Sequence, residues 1–401
     1  MKYIIIVPDG MSDLPLKEFN GRTPLEVAKT PFMDFMAKEG IVGCVNNVPK
    51  GMQPGSDVAN LSLLGYNPAE FYTGRGPFEA KSLGIDLKKE EMAFRCNLVT
   101  VSDDGIMVDY SAGHISSKEA QVLIKHVDEM LGSDIVRFYP GMSYRHILVV
   151  NLIKAGVNFD GVDCTAPHDI LSESIKKHMP KGNGSDFLIN LMNESKKVLE
   201  HHDINHVRID LKENPGNMIW LWGGGQLPPV KNFFEKFRLK GSLISAVGLL
   251  KGIALAIGLN PVDVPGITGY YDTNYSAKAE YGLKALEKDD FLFLHIEAPD
   301  EAGHNGDVLE KVKAIENIDK KVIGPVIKTL QKRGEKFRIL VCPDHPTPLS
   351  LRTHTADNVP FVMYGEGIEK SNVSGFSEAV LKLKGIKKYN SGHEMVEEFL
   401  K

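Results

Sequence analysis

Three apolar runs in this chain are each followed by an aspartate, and each run has the length of one buried strand. A proline stands directly before each of these aspartates and ends the strand at a defined turn. Open α/β sheets bind ligands in the crevice beyond the carboxyl ends of their strands. Segments far apart in the sequence are therefore predicted to deliver carboxylates to one site. The three aspartates are Asp9, Asp300 and Asp344.

Histidines accompany two of these aspartates. His304 lies four residues after Asp300, and His345 directly follows Asp344. An isolated Asp-x-x-x-His pattern is equally typical of a solvated helix start, but a third histidine, His354, follows the second pair. Carboxylates and imidazoles gathered in this way are ligands for divalent metals. The pattern therefore predicts a metal site that holds two ions.

Ser56 is the candidate nucleophile. It stands at the start of a predicted helix, directly after a glycine-containing turn. A serine hydroxyl is a poor nucleophile at neutral pH, but a bound metal ion would stabilise its alkoxide, and the helix N-terminus would favour a phosphoryl group on that oxygen. The competing interpretation is that Ser56 merely caps the helix, and the local sequence alone favours that reading.

The length of 401 residues predicts more than one hydrophobic core. Metal-ligand candidates occur near the N-terminus and again from residue 300 onward, whereas residues 92–213 mix strands and helices without a strand that ends in such a ligand pair. We therefore expect a discontinuous catalytic domain, formed by residues 1–91 and 214–401. Residues 92–213 are expected to form an inserted domain.

The composition of the chain argues against nucleic-acid-binding, membrane-bound and disulfide-rich classes of protein. The chain is 42% hydrophobic and 25% charged, as in soluble globular proteins, and its net charge of -5 gives no general attraction to nucleic acid or an anionic membrane. Its four cysteines are widely spaced, so neither a disulfide framework nor a zinc ribbon is indicated. The N-terminus begins directly with a strand, and the apolar stretch 243–259 is interrupted by Lys251 and glycines. We expect a cytoplasmic protein without a membrane span.

Several longer segments together carry a family resemblance. They are Pro8-Asp9-Gly10-Met11, Gly55-Ser56-Asp57, Tyr72-Thr73-Gly74-Arg75, Tyr139-Pro140-Gly141-Met142, Ala166-Pro167-His168-Asp169, Met218-Ile219-Trp220-Leu221, Ala298-Pro299-Asp300-Glu301, Pro343-Asp344-His345 and Thr353-His354-Thr355. With these segments the chain resembles the archaeal-type cofactor-independent phosphoglycerate mutases of the alkaline phosphatase superfamily. The resemblance extends over nearly the whole chain.

The resemblance implies an α/β fold of the alkaline-phosphatase type. This fold is a three-layer sandwich, with a mostly parallel central sheet between helices on both faces, and it carries an inserted smaller α/β domain. The resemblance also implies two divalent metal ions, with manganese as the first expectation and zinc, magnesium or cobalt as alternatives. One ion would be held by Asp9, Ser56, Asp344 and His345, and the other by Asp300, His304 and His354.

The implied reaction interconverts 3-phosphoglycerate and 2-phosphoglycerate, without 2,3-bisphosphoglycerate as a cofactor. Ser56 would accept the phosphoryl group while Lys278, which matches the family's lysine near the phosphate, neutralises its oxygens. The inserted domain would act as a lid that binds substrate and excludes water, since water would turn the mutase into a phosphatase. The substrate-binding candidates are Arg75 and Arg145 for the carboxylate, with His114, His168 and Asp169 for hydroxyl binding or proton transfer.

Two other functions remain open at this stage. A metal-dependent phosphatase, sulfatase or phosphopentomutase of the same superfamily would carry the same metal ligands and serine. A catalytically silent protein that uses the fold for binding is the alternative from a different class. The segments of the inserted region argue against the first alternative, and the complete set of expected ligands argues against the second.

Overall fold

The computed structural model describes residues 1–371 and 373–401 of the chain. Strands and helices alternate along it, as the sequence predicts. In chain order the strands are β1 (Lys2–Pro8), β2 (Ile41–Val45), β3 (Glu91–Val101), β4 (Met107–Asp109), β5 (Val136–Met142), β6 (Arg145–Asn151), β7 (Met218–Gly225), β8 (Gly241–Ile244), β9 (Asn260–Pro261), β10 (Phe291–Ile296), β11 (Phe337–Val341), β12 (Val359–Gly365) and β13 (Lys387–Tyr389).

The helices vary from single turns to four-turn elements. A short π-helical segment, Asp319–Ile323, joins two of them into one continuous helix. In chain order the α-helices are α1 (Pro24–Val27), α2 (Pro31–Glu39), α3 (Ser56–Leu63), α4 (Pro68–Phe71), α5 (Gly76–Ser82), α6 (Ser117–Leu131), α7 (Leu152–Ala155), α8 (Ser185–Leu199), α9 (Asp203–Asp210), α10 (Phe233–Phe237), α11 (Gly248–Ala256), α12 (Tyr275–Ala285), α13 (Ala298–Asn305), α14 (Val308–Ile318), α15 (Gly324–Lys332) and α16 (Gly392–Phe399).

The chain divides into two units. Met1–Tyr72 together with Pro229–Lys401 form the first, and Thr73–Pro228 form the second. The discontinuous arrangement follows the sequence expectation, but the expected insert of 92–213 is too short at both ends. The reason is packing: α5 lies against β3, and β7 pairs with β3 along its length, so both elements belong to the sheet of the insert.

The first unit is built on an eight-stranded sheet with the order β13-β2-β12-β11-β1-β10-β8-β9. Every neighbouring pair is parallel except the two pairs that involve β12, which runs against both β11 and β2. The centre of the sheet is the trio β11, β1 and β10. These strands are mostly apolar, as expected for parallel strands buried on both faces.

Helices cover both faces of this sheet. On one face the side chains of Ile4 and Ile6 join a buried cluster with residues of α2, α12, α14 and α15. On the other face Tyr3 makes an edge contact with Phe399 of α16, and Phe291 packs against Phe233 of α10. The predicted three-layer α/β sandwich with a mostly parallel sheet is confirmed.

The second unit has its own five-stranded sheet and its own core. Its strands follow the order β4-β3-β6-β5, with β7 on the free side of β3, and all pairs are antiparallel. The helices α6 and α8 pack against this sheet and bury a separate apolar cluster that includes Trp220. The expected inserted α/β fold is therefore present. Within the residues that the structure describes, no helix is long and apolar enough to span a membrane.

Candidate metal centre and active site

The strand order brings the three strand-end aspartates to one edge of the large sheet. Since β11, β1 and β10 are adjacent and parallel, their carboxyl ends lie side by side. Asp9 directly follows β1, and its backbone N–H donates to the Ile296 carbonyl at the end of β10. Asp300 lies in the first turn of α13 after β10, and Asp344 lies three residues beyond β11. The geometry expected from the sequence is thus formed by the sheet itself.

One group of possible ligands consists of Asp300, His304 and His354. Their ligand atoms all lie within 4.8 Å of one another, and the Nε2 atoms of the two histidines are 2.8 Å apart. Nδ1 of His304 lies 3.1 Å from the Arg352 carbonyl, and Nδ1 of His354 lies 3.4 Å from the Pro54 carbonyl. A carbonyl at Nδ1 favours a proton there and leaves Nε2 as the ligand atom.

A second group surrounds Asp9. Asp9, Asp300 and His345 offer ligand atoms that all lie within 4.8 Å of one another, and Asp9, His295 and Asp344 do the same. Nε2 of His345 is 3.7 Å from Asp9 Oδ1 and 3.4 Å from Asp344 Oδ2. Six of the seven ligands expected from the resemblance, all except Ser56, are therefore brought close together, and His295, which the sequence analysis did not include, joins them.

The electrostatics of these carboxylates fit a bound cation. Burial, and then the negative charges of Asp344 and Asp300, raise the pKa of Asp9 well above its usual value. Burial alone would also raise the pKa of Asp300, but hydrogen bonds from His304 and His354 hold this pKa well below its usual value. Oδ1 of Asp9 is buried without a hydrogen-bond partner among the described residues. A divalent ion would compensate the buried charge and satisfy this oxygen.

Ser56 is not the N-cap that its local sequence suggests. Gly55 occupies the cap position in an extended conformation, and Ser56 is the first residue of α3, without a capping hydrogen bond from its side chain to the helix. Its Oγ instead lies 3.3 Å from Nε2 of His345. The side chain of Asn60 ties the two segments together, since it donates to the Ser56 carbonyl and to Asp344 Oδ2, each at 2.8 Å. The hydroxyl is therefore directed towards the ligand cluster.

Gly10 allows the aspartates to approach one another. Its φ of +60° lies in the left-handed region, and its backbone N–H donates to Asp344 Oδ1 at 3.1 Å. A Cβ at this position would lie 2.5 Å from Asp300 Oδ1 and equally close to Thr347 Oγ1. Any side chain here would displace the loop that joins β1 to the site.

Lys278 is a buried residue of α12 and not an exposed helix lysine. Its ammonium donates to Glu297 Oε2 at 2.5 Å and to the His295 carbonyl at 2.8 Å. Burial opposes the charge on Glu297, but Lys278 and His295 hold the pKa of Glu297 well below its usual value. Lys278 thus lies beside the strand that leads to Asp300, while its action on a phosphoryl group stays a prediction.

A buried ion pair supports the loop that carries His345. The ammonium of Lys311 donates to Asp13 Oδ2 and to the Thr347 carbonyl, each at 2.7 Å. The hydroxyl of Thr347 in turn donates to Asp300 Oδ1. The loop between β11 and β12 is therefore held in place by a network of buried charged and polar side chains.

Glu378 lies in the same network and gives a pH-dependent prediction for stability. It accepts hydrogen bonds from the Thr23 hydroxyl and the Asp13 N–H, yet burial raises its pKa to about 7 from an ordinary 4.5. Its contribution to stability is complete below pH 4.5 and is lost as the pH rises through 7. Relative to the wild type, Glu378→Gln should therefore gain about 2 kcal/mol of unfolding free energy between pH 5 and pH 8.

Urea denaturation of wild type and variant at the two pH values measures this gain. Glu369→Gln is the matched control, because Glu369 is exposed. A difference between Glu378→Gln and the wild type that stays the same at both pH values would contradict the raised pKa.

The second unit contains a cluster of cationic side chains around Trp222. The guanidinium of Arg95 lies 5.1 Å from the indole centroid, and that of Arg75 lies 5.7 Å from it. Arg95 is 7% exposed and is paired with Glu79 at 2.5 Å, but its Nε is buried without a hydrogen-bond partner among the described residues. Burial lowers the pKa of Arg95, and Arg75 and Arg145 lower it further. This concentration of positive charge is suited to an anion.

The other sequence candidates of this unit lie around the same cluster. The ring of His168 is 5.4 Å from Trp222, and burial together with Arg75 and Arg95 lowers the pKa of His168. Arg145 stacks on Tyr144 at 5.5 Å. Of the remaining two candidates, His114 has its ring 6.4 Å from that of Tyr144, and Asp169 has its Oδ1 3.8 Å from His168 Nε2.

Comparison with known proteins identifies the family. The family model described as 2,3-bisphosphoglycerate-independent phosphoglycerate mutase matches residues 37–205. A mutase of that name from Methanothrix thermoacetophila is 48% identical over 378 residues, which cover 94% of this chain and 94% of the relative. This chain belongs to the 2,3-bisphosphoglycerate-independent phosphoglycerate mutase family. The family resemblance read from the sequence is confirmed.

Further relatives match over nearly the whole length of this chain. The relative from Methanosarcina mazei is 47% identical and covers 95% of each chain. Among solved structures, a protein from Pyrococcus horikoshii is 30% identical with a TM-score of 0.83, over 100% of this chain and 97% of that one. The cofactor-independent phosphoglycerate mutase from Thermoplasma acidophilum is 27% identical with a TM-score of 0.68, over 100% of this chain and 99% of that one. Membership of this family implies the use of divalent metal.

The sequence analysis missed two residues of these sites. Arg95 and His295 each interrupt an apolar strand, β3 and β10 respectively, and both are almost fully buried. A charged or titratable residue is rarely buried unless it is paired or functional, so this interruption was the available signal.

Proposed function

We propose that this chain interconverts 3-phosphoglycerate and 2-phosphoglycerate through a phosphoserine on Ser56, in a centre of two divalent ions. The observation that carries the proposal is the direction of the Ser56 hydroxyl. Ser56 is the first residue of α3 but not its cap. Its Oγ lies 3.3 Å from Nε2 of His345, beside carboxylates that are suited to binding cations. Family membership supplies the substrate, because the relatives are named for this reaction.

The proposed metal centre follows the division implied by the family. Asp9, Ser56, Asp344 and His345 would hold one ion, and Asp300, His304 and His354 the other, with manganese as the first metal to test. When bound, such ions stabilise a serine alkoxide and neutralise the oxygens of a phosphoryl group.

The protein residues would act as follows. Ser56 Oγ gives up its proton and attacks the phosphorus of the substrate, the ester bond to the glycerate oxygen breaks, and that oxygen takes up a proton. The positive end of the helix dipole at the start of α3 would favour the negative charge of a phosphoryl group on Ser56. In the second half the other glycerate hydroxyl loses its proton, attacks the phosphoserine and restores the Ser56 hydroxyl. The glycerate must stay bound throughout, because water would otherwise take the phosphoryl group.

We further propose that the cationic cluster around Trp222 binds the glycerate carboxylate. Arg75 and Arg145 were expected in this role, and Arg95 joins them because its guanidinium, like that of Arg75, lies over the Trp222 ring. A guanidinium binds a carboxylate through two parallel hydrogen bonds. The second unit would thus serve as the substrate-binding lid.

An exposed member of the cluster allows a test of this role. Arg145→Ala should lower kcat/KM for the mutase reaction roughly 10- to 100-fold, the effect of losing one charged hydrogen bond, while hydrolysis of p-nitrophenyl phosphate changes little. Arg145 is exposed, so the fold should tolerate the change. Arg137→Ala is the control, since Arg137 lies in the same sheet and is paired with Asp128. Equal losses in both reactions would remove Arg145 from carboxylate binding.

A coupled assay tests the function itself. The manganese-supplemented protein is given 3-phosphoglycerate without 2,3-bisphosphoglycerate, 2-phosphoglycerate is coupled to enolase, and free phosphate is followed in parallel. Phosphoenolpyruvate without free phosphate is the expected result. Phosphate release alone would contradict the proposal and favour a metal-dependent phosphatase of the same superfamily, whereas a panel of pentose phosphates tests the phosphopentomutase alternative.

A further inference from the structure

His295 is a histidine of strand β10 that the expected metal ligands do not include. Its side chain is completely buried, and in the register of the sheet it lies opposite Val7 of β1, two residues before Asp9. Nε2 of His295 is 3.2 Å from Asp9 Oδ2. Asp9, His295 and Asp344 offer ligand atoms that all lie within 4.8 Å of one another. The imidazole therefore faces two carboxylates that the proposed metal centre also uses.

The other ring nitrogen of His295 is held by a carboxylate. Nδ1 lies 3.3 Å from Glu297 Oε1. Glu297 is itself fixed, since Oε1 accepts from the Ser245 hydroxyl and the Ala246 N–H, and Oε2 accepts from Lys278. A carboxylate at one ring nitrogen of a histidine, with the second nitrogen directed at other acidic oxygens, is the arrangement that orients a histidine towards a metal ion.

Two buried atoms at this position are poorly satisfied. Oδ1 of Asp9 has no hydrogen-bond partner among the described residues, and Nε2 of His295 makes no well-aligned hydrogen bond there, although it lies 3.2 Å from Asp9 Oδ2. A buried polar atom without a well-formed hydrogen bond is destabilising, so two such atoms on neighbouring side chains call for a common partner. A divalent cation between them would satisfy both and would also compensate the charges of Asp9 and Asp344.

We propose that Nε2 of His295 is a ligand for a divalent cation that Asp9 and Asp344 also bind, with Glu297 holding the Nδ1 proton. This inference rests on the metal centre of the proposed function and adds a fourth imidazole to it. Glu297 acts as a positioning residue for His295, and Lys278 fixes Glu297 in turn.

Nuclear magnetic resonance of the wild-type protein tests the assignment directly. Protein labelled with ¹⁵N in its histidines is loaded with ¹¹³Cd²⁺, and the imidazoles whose nitrogen couples to cadmium are counted. The expected set has four members: His295, His304, His345 and His354. Three or fewer coupled imidazoles in the wild type would overturn the assignment, and this measurement does not depend on a variant that folds.

The variant His295→Gln identifies the fourth signal. It should lose one cadmium-coupled imidazole and weaken Mn²⁺ binding, measured by equilibrium titration, by about tenfold or more. His393→Gln is the matched control. His393 lies in the same unit, and among the described residues it has a buried ring nitrogen without a hydrogen-bond partner and belongs to none of the carboxylate-histidine groups. A His295→Gln spectrum that keeps every coupled imidazole of the wild type would overturn the assignment.

The cadmium measurement and the mutase assay can fail independently of each other. Three coupled imidazoles in an active mutase would remove His295 from the metal centre and leave the function intact. Four coupled imidazoles in a protein without mutase activity would keep the ligand and refute the proposed reaction.

Discussion

The Ser56→Ala variant is expected to lose mutase activity by a factor on the order of 10⁴ or more, while its fold stays close to that of the wild type. The loss is large because Ser56 is proposed to carry the phosphoryl group between the two halves of the reaction. The fold should survive because, among the described residues, the hydroxyl is not the cap of α3 and lies 3.3 Å from His345 Nε2. The enolase-coupled assay and circular dichroism measure the two properties.

Ser62→Ala provides the comparison for this variant. Ser62 lies in the same helix, and its hydroxyl accepts the N–H of His393, away from the metal ligands. It should keep its activity. Mass spectrometry of the wild type, quenched during turnover, should find a phosphate on the peptide that contains Ser56. Substantial mutase activity of Ser56→Ala would exclude the phosphoserine route.

Removing divalent metal is expected to abolish activity and to lower the melting temperature. Without cations, the carboxylates of Asp9, Asp300 and Asp344 lie close together, largely buried, and repel one another, as the raised pKa of Asp9 shows. Metal at a hundredfold excess over its Kd stabilises the folded state by about 2.7 kcal/mol, which corresponds to a rise of several degrees. Scanning calorimetry of chelator-treated protein, before and after addition of Mn²⁺, measures this rise.

Potassium chloride at matched ionic strength is the control for this experiment, because it screens charges without binding the site. Activity should return with Mn²⁺ and not with the salt. Full turnover by protein shown to be free of metal would refute the metal centre, and an unchanged melting temperature would show that the carboxylates need no cation.

The large sheet and its strand-end residues could be predicted because the responsible signals are local. The apolar run to Pro8 specifies a buried strand, and the proline places Asp9 just beyond it. Asp300 and His304 are four residues apart and fall on one turn of α13. Parallel strands then bring such residues together whatever their distance in sequence.

The features that sequence reasoning missed depend on tertiary packing. The insert begins near Thr73 because α5 packs on β3, and nothing in the local sequence records that contact. Ser56 resembles a helix cap by residue type, yet the backbone of Gly55 takes the cap position. Arg95 joins the cationic cluster only because β3 pairs with β7 and brings it to Trp222.

The single strand of reversed direction in the large sheet has a consequence for the metal ligands. If β12 were parallel to β11, the chain that leaves the carboxyl end of β11 would have to cross to the opposite end of the sheet before β12 could begin. Because β12 runs antiparallel to β11, the chain instead leaves and re-enters the sheet at the same edge. Residues 342–358 form one loop anchored at both ends, and this loop carries Asp344, His345 and His354. One change of strand direction thus allows a single loop to contribute to both expected ion positions.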